Sequence, residues 1–214
     1  YNENGTIRTG WYSWNPPEAL ENGYERSVEW FYFGTNGVPK SDLNGIISEN
    51  DFLKIDGRTY CFNYYGTPLH GLQKIYTSES AEDYSFYYFG TWDQCNIQTG
   101  KINVEDASGE VCQFYFDTRG EGYTGTKDSY LYYKGKLQEA ESGIKYQVIS
   151  MPASNGYNNY LVNTSGKITK SKTVKDGDGI SYTTDSSGIV TAVEGNAVGK
   201  EAIGIAPREP DYNF

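Results

Sequence analysis

An aromatic strand, a polar turn carrying glycine and a second short strand recur along this chain, which limits its folds more than any other feature. The clearest copies are Trp30-Phe31-Tyr32-Phe33 before Gly37, Tyr60-Cys61-Phe62 before Gly66, and Phe86-Tyr87-Tyr88-Phe89. Phe114-Tyr115-Phe116 before Gly120 and Tyr130-Leu131-Tyr132-Tyr133 before Gly135 follow the same plan, with weaker echoes at Tyr160-Leu161-Val162 and Tyr182-Thr183-Thr184. The turn glycines set the period. Gly37 and Gly66 lie 29 residues apart, Gly66 and Gly120 lie 54 apart, and Gly166 and Gly188 lie 22 apart. Each run alternates its faces as a strand does. A lone hairpin is marginal in water, so neighbouring units must bury one another's rings.

Composition agrees with thin layers. Hydrophobic residues make up 37% of the 214 residues, but aromatics reach 16%, with 21 Tyr against one Met. Each ring buries about 150–250 Å², enough to hold short hairpins together without a thick aliphatic core. The 25 glycines suit tight turns, where positive φ is needed. The expected fold is all-β, built of stacked β-hairpin repeats. Leu137 to Ile144 could form a short helical turn limited by Gly143, and Met151 to Tyr157 reads as a loop. That loop divides an aromatic-rich array, residues 1–150, from a degenerate segment, residues 151–214, expected to act as a cap. The first residues, Tyr1 to Trp11, match the second half of a unit. The chain is therefore expected to be a piece of a longer polypeptide.

Other features narrow the function. A net charge of −10 argues against nucleic acid and anionic membranes, both of which recruit basic residues. Cys61, Cys95 and Cys112 have no framework spacing, and Cys61 and Cys112 are expected as small buried hydrophobes. A single His, His70, cannot build a His-based metal site. Asp176-Gly177-Asp178-Gly179 resembles a calcium loop, but Ile180 stands where an oxygen ligand is needed, so a turn is expected. The acidic groups Glu79/Glu82/Asp83 and Glu105/Asp106/Glu110 are expected in solvated loops. No nucleophile elbow or phosphate loop is present, and the reading is a non-enzyme without cofactor or metal.

The units resemble the cell-wall-binding repeat family of choline-binding modules, glucan-binding repeats and clostridial toxin repeats. The match is strongest in Tyr1–Trp11, Trp30–Gly37, and Leu53–Arg58 running into Tyr60 and Phe62. The resemblance implies hairpins wound into a β-solenoid on secreted or surface-attached proteins of Gram-positive bacteria. It also places His70 at an exposed position. In the choline-binding branch, ligands sit in aromatic cages between hairpins. Carried over, Gly10-Trp11 supplies the Gly-Trp pair, Trp30 and Tyr32 the strand aromatics, and Phe52 a ring from the next unit. Elsewhere Thr59, Leu72 and Lys101 replace cage aromatics, so the resemblance implies one such site at most. Trp92, in a turn, is a separate candidate for stacking on a sugar, and Tyr64, Tyr65, Tyr87 and Tyr123 are expected to face outward.

The function expected from these features is non-catalytic attachment of a larger secreted or surface protein to wall polysaccharide or choline-bearing teichoic acid. The alternative is an adhesion or stalk module whose partner is a host protein or glycan.

Overall fold

The computed structural model describes residues 1–15, 26–42, 45–77 and 83–212. They divide into two compact units, Tyr1–Thr99 and Gly100–Phe214. In the N-terminal unit, strand β1 (Gly10–Trp14) pairs with β2 (Glu29–Phe33), β3 (Leu53–Ile55) with β4 (Arg58–Tyr60), and β5 (Leu72–Tyr76) with β6 (Tyr84–Tyr88). Each pair is antiparallel. In the C-terminal unit, β7 (Gly100–Glu105), β8 (Val111–Phe116), β9 (Gly125–Lys127), β10 (Tyr130–Tyr133) and β11 (Lys136–Leu137) form one sheet in the order β7-β8-β11-β10-β9. A long hairpin of β12 (Tyr146–Ala153) and β13 (Gly156–Asn163) follows. The last sheet holds β14 (Thr173–Lys175), β15 (Ser181–Thr184), β16 (Val190–Val193) and β17 (Asn196–Ala197) in sequence order. Among the described residues, no helix is long and apolar enough to cross a membrane.

The chain is all-β, but the expected β-solenoid is corrected: the strands form discrete antiparallel sheets of two to five strands rather than one continuous winding. The reason lies in the turns. At residues 2–6, 34–38, 63–67, 106–110, 117–121, 163–167, 176–180 and 185–189, the first N–H donates to the fifth carbonyl and the fourth N–H to the first carbonyl. At Asp106, Asp117, Asn163, Asp176 and Asp185 the side-chain Oδ1 also accepts the N–H groups two and four residues on. The backbone groups at the strand ends are therefore used locally. Strands of two to six residues on either side have little left for a neighbouring ladder; the eight-residue β12 and β13 are the exception. The Asp176 turn is the one expected, with both N–H bonds to its Oδ1 made inside the loop.

Contact between successive units runs through the turn glycine and buried rings. Gly166 has φ +72°, and a Cβ there would lie 2.7 Å from Leu137 Cδ1. Gly37 sits against Ile7, and Gly66 against the Lys40 carbonyl and the Phe31 ring. The apolar clusters are correspondingly small. Ile55, Tyr60 and Phe62 pack with Trp11, Tyr32 and Leu53, while Cys61, Leu69, Ile75, Tyr87 and Phe89 pack with Ile47, Phe52 and Ile97. In the C-terminal unit, Leu131, Ile149, Met151, Val162 and Ile168 form one cluster, and Val148, Leu161 and Val190 another. All three cysteines are buried and free, and burial, aided by the Asp51 charge, pushes the Cys61 thiol up to about 12.

Several local expectations change. Met151–Ala153 and Gly156–Tyr157 belong to β12 and β13, with Ala153 opposite Gly156, so the supposed loop is a hairpin. The turn residues are Ser154 and Asn155, and Gly156 opens β13 at φ +116°. Leu137 lies in β11, and the stretch after it makes a bend in which Ile144 N–H donates to the Glu141 carbonyl, not a helical turn. Tyr87 faces inward at 2% exposure, its hydroxyl donating to the Glu49 carboxylate at 2.9 Å. Glu79 and Glu82 lie outside the described residues.

Asp106, expected in solvent, is buried. Besides its turn bonds it accepts from Lys136 Nζ at 3.3 Å, with side-chain exposures of 1% and 15%. Burial raises its carboxyl, but hydrogen bonds from Ser108 and Lys136 outweigh this and hold it below the ordinary carboxylate value. The folded state thus binds this proton less readily than the unfolded chain. The stability it supplies is present above pH about 4 and is lost as pH falls through the lowered folded value. Asp106→Asn keeps an acceptor for the turn but strands the ammonium. It should cost about 3 kcal/mol in urea unfolding at pH 7 and flatten the acid limb of the stability curve. Gly166→Ala should cost about 2–4 kcal/mol through backbone strain and overlap with Leu137. Gly143→Ala, at φ +87° with nothing within 4 Å, should cost only about 1 kcal/mol by the same measurement.

Candidate functional site

Pairing in the first hairpin sets Trp11 opposite Tyr32 and Ser13 opposite Trp30. Side chains alternate along a strand, so Trp11, Ser13, Trp30 and Tyr32 share one face. Trp11 is held edge-on by Tyr32 at 5.3 Å and Tyr60 at 5.0 Å between ring centroids, with Phe62 at 5.9 Å. These contacts fix its plane. Trp30, opposite the small Ser13, remains 48% exposed. A strand tryptophan that far from burial gains little from packing and leaves much of its ring open to solvent.

Trp92 reaches this face from the far end of the unit. It lies in a turn in which Gln94 and Cys95 N–H groups donate to the Thr91 carbonyl. The segment after the turn folds back, Ile97 N–H donating to the Thr59 carbonyl on β4 at 2.9 Å. Trp92 is stacked on His70, with ring centroids 3.4 Å apart and planes at 29°. Arg26 lies 4.2 Å from the indole centroid and donates from Nη2 to the Trp92 carbonyl at 2.7 Å. His70 is therefore half-buried in a ring stack, not an exposed loop residue.

Trp11, Trp30 and Trp92 line one cavity of about 450 Å³. Tyr60, Pro68, Asp93, Gln94 and Cys95 complete its wall. Of the residues singled out by sequence, three indoles come together here, Tyr32 supports Trp11 from behind, and Phe52 is elsewhere. Phe52 packs edge-on against Tyr87 at 5.1 Å and Phe89 at 6.1 Å, and borders a separate cavity of about 180 Å³ beside Asp51 and Phe62. Tyr64 and Tyr65 stand exposed on the 63–67 turn, in edge contact at 5.5 Å. Sequence reasoning missed Tyr60, Pro68, Asp93 and Gln94. The signal for Asp93 and Gln94 was their place beside Trp92, which was weighed alone and not as part of the Trp11/Trp30 cluster.

In chemical terms the cavity offers ring faces, one phenol and one carboxylate. The Trp and Tyr faces carry negative π charge that attracts a cation without needing hydrogen bonds from it. Asp93 adds a formal negative charge at the wall.

No protein-family model matches the sequence, and no curated protein matches it. Solved structures do. The match to CbpF, choline binding protein F from Streptococcus pneumoniae, in complex with ipratropium has a TM-score of 0.50 at 16% identity and covers 86% of this chain and 49% of that one. CbpJ from Streptococcus pneumoniae TIGR4 matches with a TM-score of 0.44 at 16% identity, over 91% of this chain and 70% of that one. The modular endolysin of phage Cp-1 matches with a TM-score of 0.37 at 19% identity, over 79% and 40%. The chain spans about half the length of choline binding protein F. The fold is one that this chain has in common with choline binding protein F.

Proposed function

We propose that this chain is a non-catalytic binding module that attaches a secreted or cell-surface bacterial protein to wall glycan or to choline-bearing teichoic acid. The observation that carries this reading is the convergence of Trp11, Trp30 and Trp92 with Tyr60 and Asp93 on one cavity. A quaternary ammonium has no N–H to donate, so indole and phenol faces are its natural partners, each contributing about 0.5–2 kcal/mol. Trp30 is assigned as the ligand-facing wall, Trp92, whose ring is engaged by His70 and Arg26, as a rim of the cavity, Trp11 as a wall braced by Tyr32, and Phe52 as a packing residue beside a smaller cavity. An acidic chain of net charge −10 favours a cation and disfavours a polyanion held by charge alone. Fold likeness does not carry function, but the shared fold makes choline the first ligand to test. Residues 151–214 are assigned to closing the array at its C-terminal side.

Choline titration should quench or shift the tryptophan fluorescence, and the module should be retained on purified choline-bearing walls and released by free choline. Trp30→Ala should abolish both responses while costing under about 1 kcal/mol of stability, because its ring is half exposed. Retention that choline leaves untouched would move the ligand from teichoic acid to glycan, and absence of retention on walls would overturn the assignment. Trp11→Ala should cost about 3–5 kcal/mol in thermal or urea unfolding, since its ring packs on Tyr32, Tyr60 and Phe62. A loss below about 1 kcal/mol would exclude its bracing role.

A further inference from the structure

The C-terminal unit holds a second cavity, of about 480 Å³, whose chemistry is the reverse of the aromatic one. Its wall carries three cations, Lys101, Lys136 and Arg208. Lys136 is neutralised by Asp106. Neither of the other two makes an ion pair among the described residues, although the Arg208 charge acts on the nearby Glu139 carboxylate. Lys101 is exposed on β7, and its ammonium rests over the Tyr130 ring, 4.6 Å from the centroid, with no carboxylate partner among the described residues. Arg208 is fixed by its neighbours: its backbone N–H donates to Gln138 Oε1 at 2.7 Å, and Nη2 donates to the Glu139 carbonyl at 2.7 Å and to Gln147 Oε1 at 3.1 Å. Its Nε is buried with no acceptor.

Because Nε is closed off and Nη2 is committed, Nη1 is the Arg208 donor left for a ligand, held in a fixed direction by the Nη2 bonds. Charge-assisted bonds to an oxyanion are the strongest that such a donor makes. Glu110 and Glu139 also line the cavity, and carboxylates there suit hydroxyl groups, which donate to them. The turn at residues 163–167 adds Ser165, whose hydroxyl is oriented by Asn163 Oδ1 at 3.0 Å. Convergent polar groups around a concave surface are the usual mark of a small-ligand site.

We propose that this cavity binds an acidic saccharide, a sugar carrying a carboxylate or phosphate, with the oxyanion on Lys101 and Arg208 and sugar hydroxyls on Glu110 and Glu139. The site goes beyond the choline reading and does not depend on it. It adds a second point of attachment, of polar and mixed-charge chemistry, on the same chain.

The test is amide-resolved NMR titration of the whole chain with N-acetylmuramic acid, glucose 6-phosphate and neutral N-acetylglucosamine. One or both acidic sugars should shift the amide signals of Lys101, Tyr130, Ser165 and Arg208, at least tenfold more tightly than the neutral sugar. Which acidic sugar binds separates a carboxylate source from a phosphate one. Lys101→Ala should weaken the acidic sugar about tenfold, and Lys101→Arg should restore most of it. Because Lys101 is exposed, neither change should alter the unfolding midpoint. Trp30→Ala should leave this titration unchanged while removing any choline response, so failure at one site is read separately from failure at the other. Equal binding of the neutral sugar, no shift at these amides with any probe, or an unchanged titration in Lys101→Ala would overturn the proposal.

Discussion

Everything in this protein is organised around a five-residue turn in which one backbone pair closes the loop and an Asp or Asn oxygen usually gathers the remaining N–H groups. That turn does two things at once. It satisfies the strand-end donors without water or a neighbouring strand, and at Gly37, Gly66, Gly166 and Gly188 it brings a glycine with positive φ against a neighbouring unit, as Gly166 meets Leu137 and Gly37 meets Ile7. Any side chain at the glycine would hold the two apart. Short strands then become sufficient, because each hairpin gains its stability from the unit beside it and not from its own length.

The same economy explains why small sheets replace a continuous ladder. In the N-terminal unit, backbone pairing passes between hairpins through single contacts, such as Asp42 N–H to the Asn63 carbonyl and Ile97 N–H to the Thr59 carbonyl. The second of these has consequences beyond stability. By returning the 91–98 segment to β4, it carries Trp92 to the Trp11 and Trp30 face and so assembles an aromatic cavity from three hairpins. Rings that bridge units in this way pack the hairpins and line a cavity together. Trp11 is mainly a packing group, with three aromatic neighbours. Trp30, facing Ser13, is left open.

Polar groups follow a parallel division. Asp106 and Lys136 form an internal pair that supports the first turn of the C-terminal unit, whereas Lys101 rests over the Tyr130 ring and Arg208 is held by carbonyl and amide oxygens. The two cavities therefore differ in kind. One is walled by rings with a single carboxylate, the other by cations, amides and acids with a single phenol ring.

The amino-acid sequence by itself determined the repeating hairpins, the turn glycines, the thin aromatic packing and the all-β class, because all of these rest on local rules: alternation along a strand and positive φ at glycine. It also singled out Trp11, Trp30 and Trp92 as the rings worth weighing. Tertiary structure alone decided which rings meet. Phe52, nearer in sequence to Trp30, turned to Tyr87 and Phe89, while Trp92 arrived through a bond between residues 59 and 97 that no local pattern encodes. It likewise decided that the sheets stay separate and that Asp106 and Tyr87 are buried. Both outcomes turn on long-range burial and on how turns spend their hydrogen bonds, and neither quantity is visible until the units are set side by side.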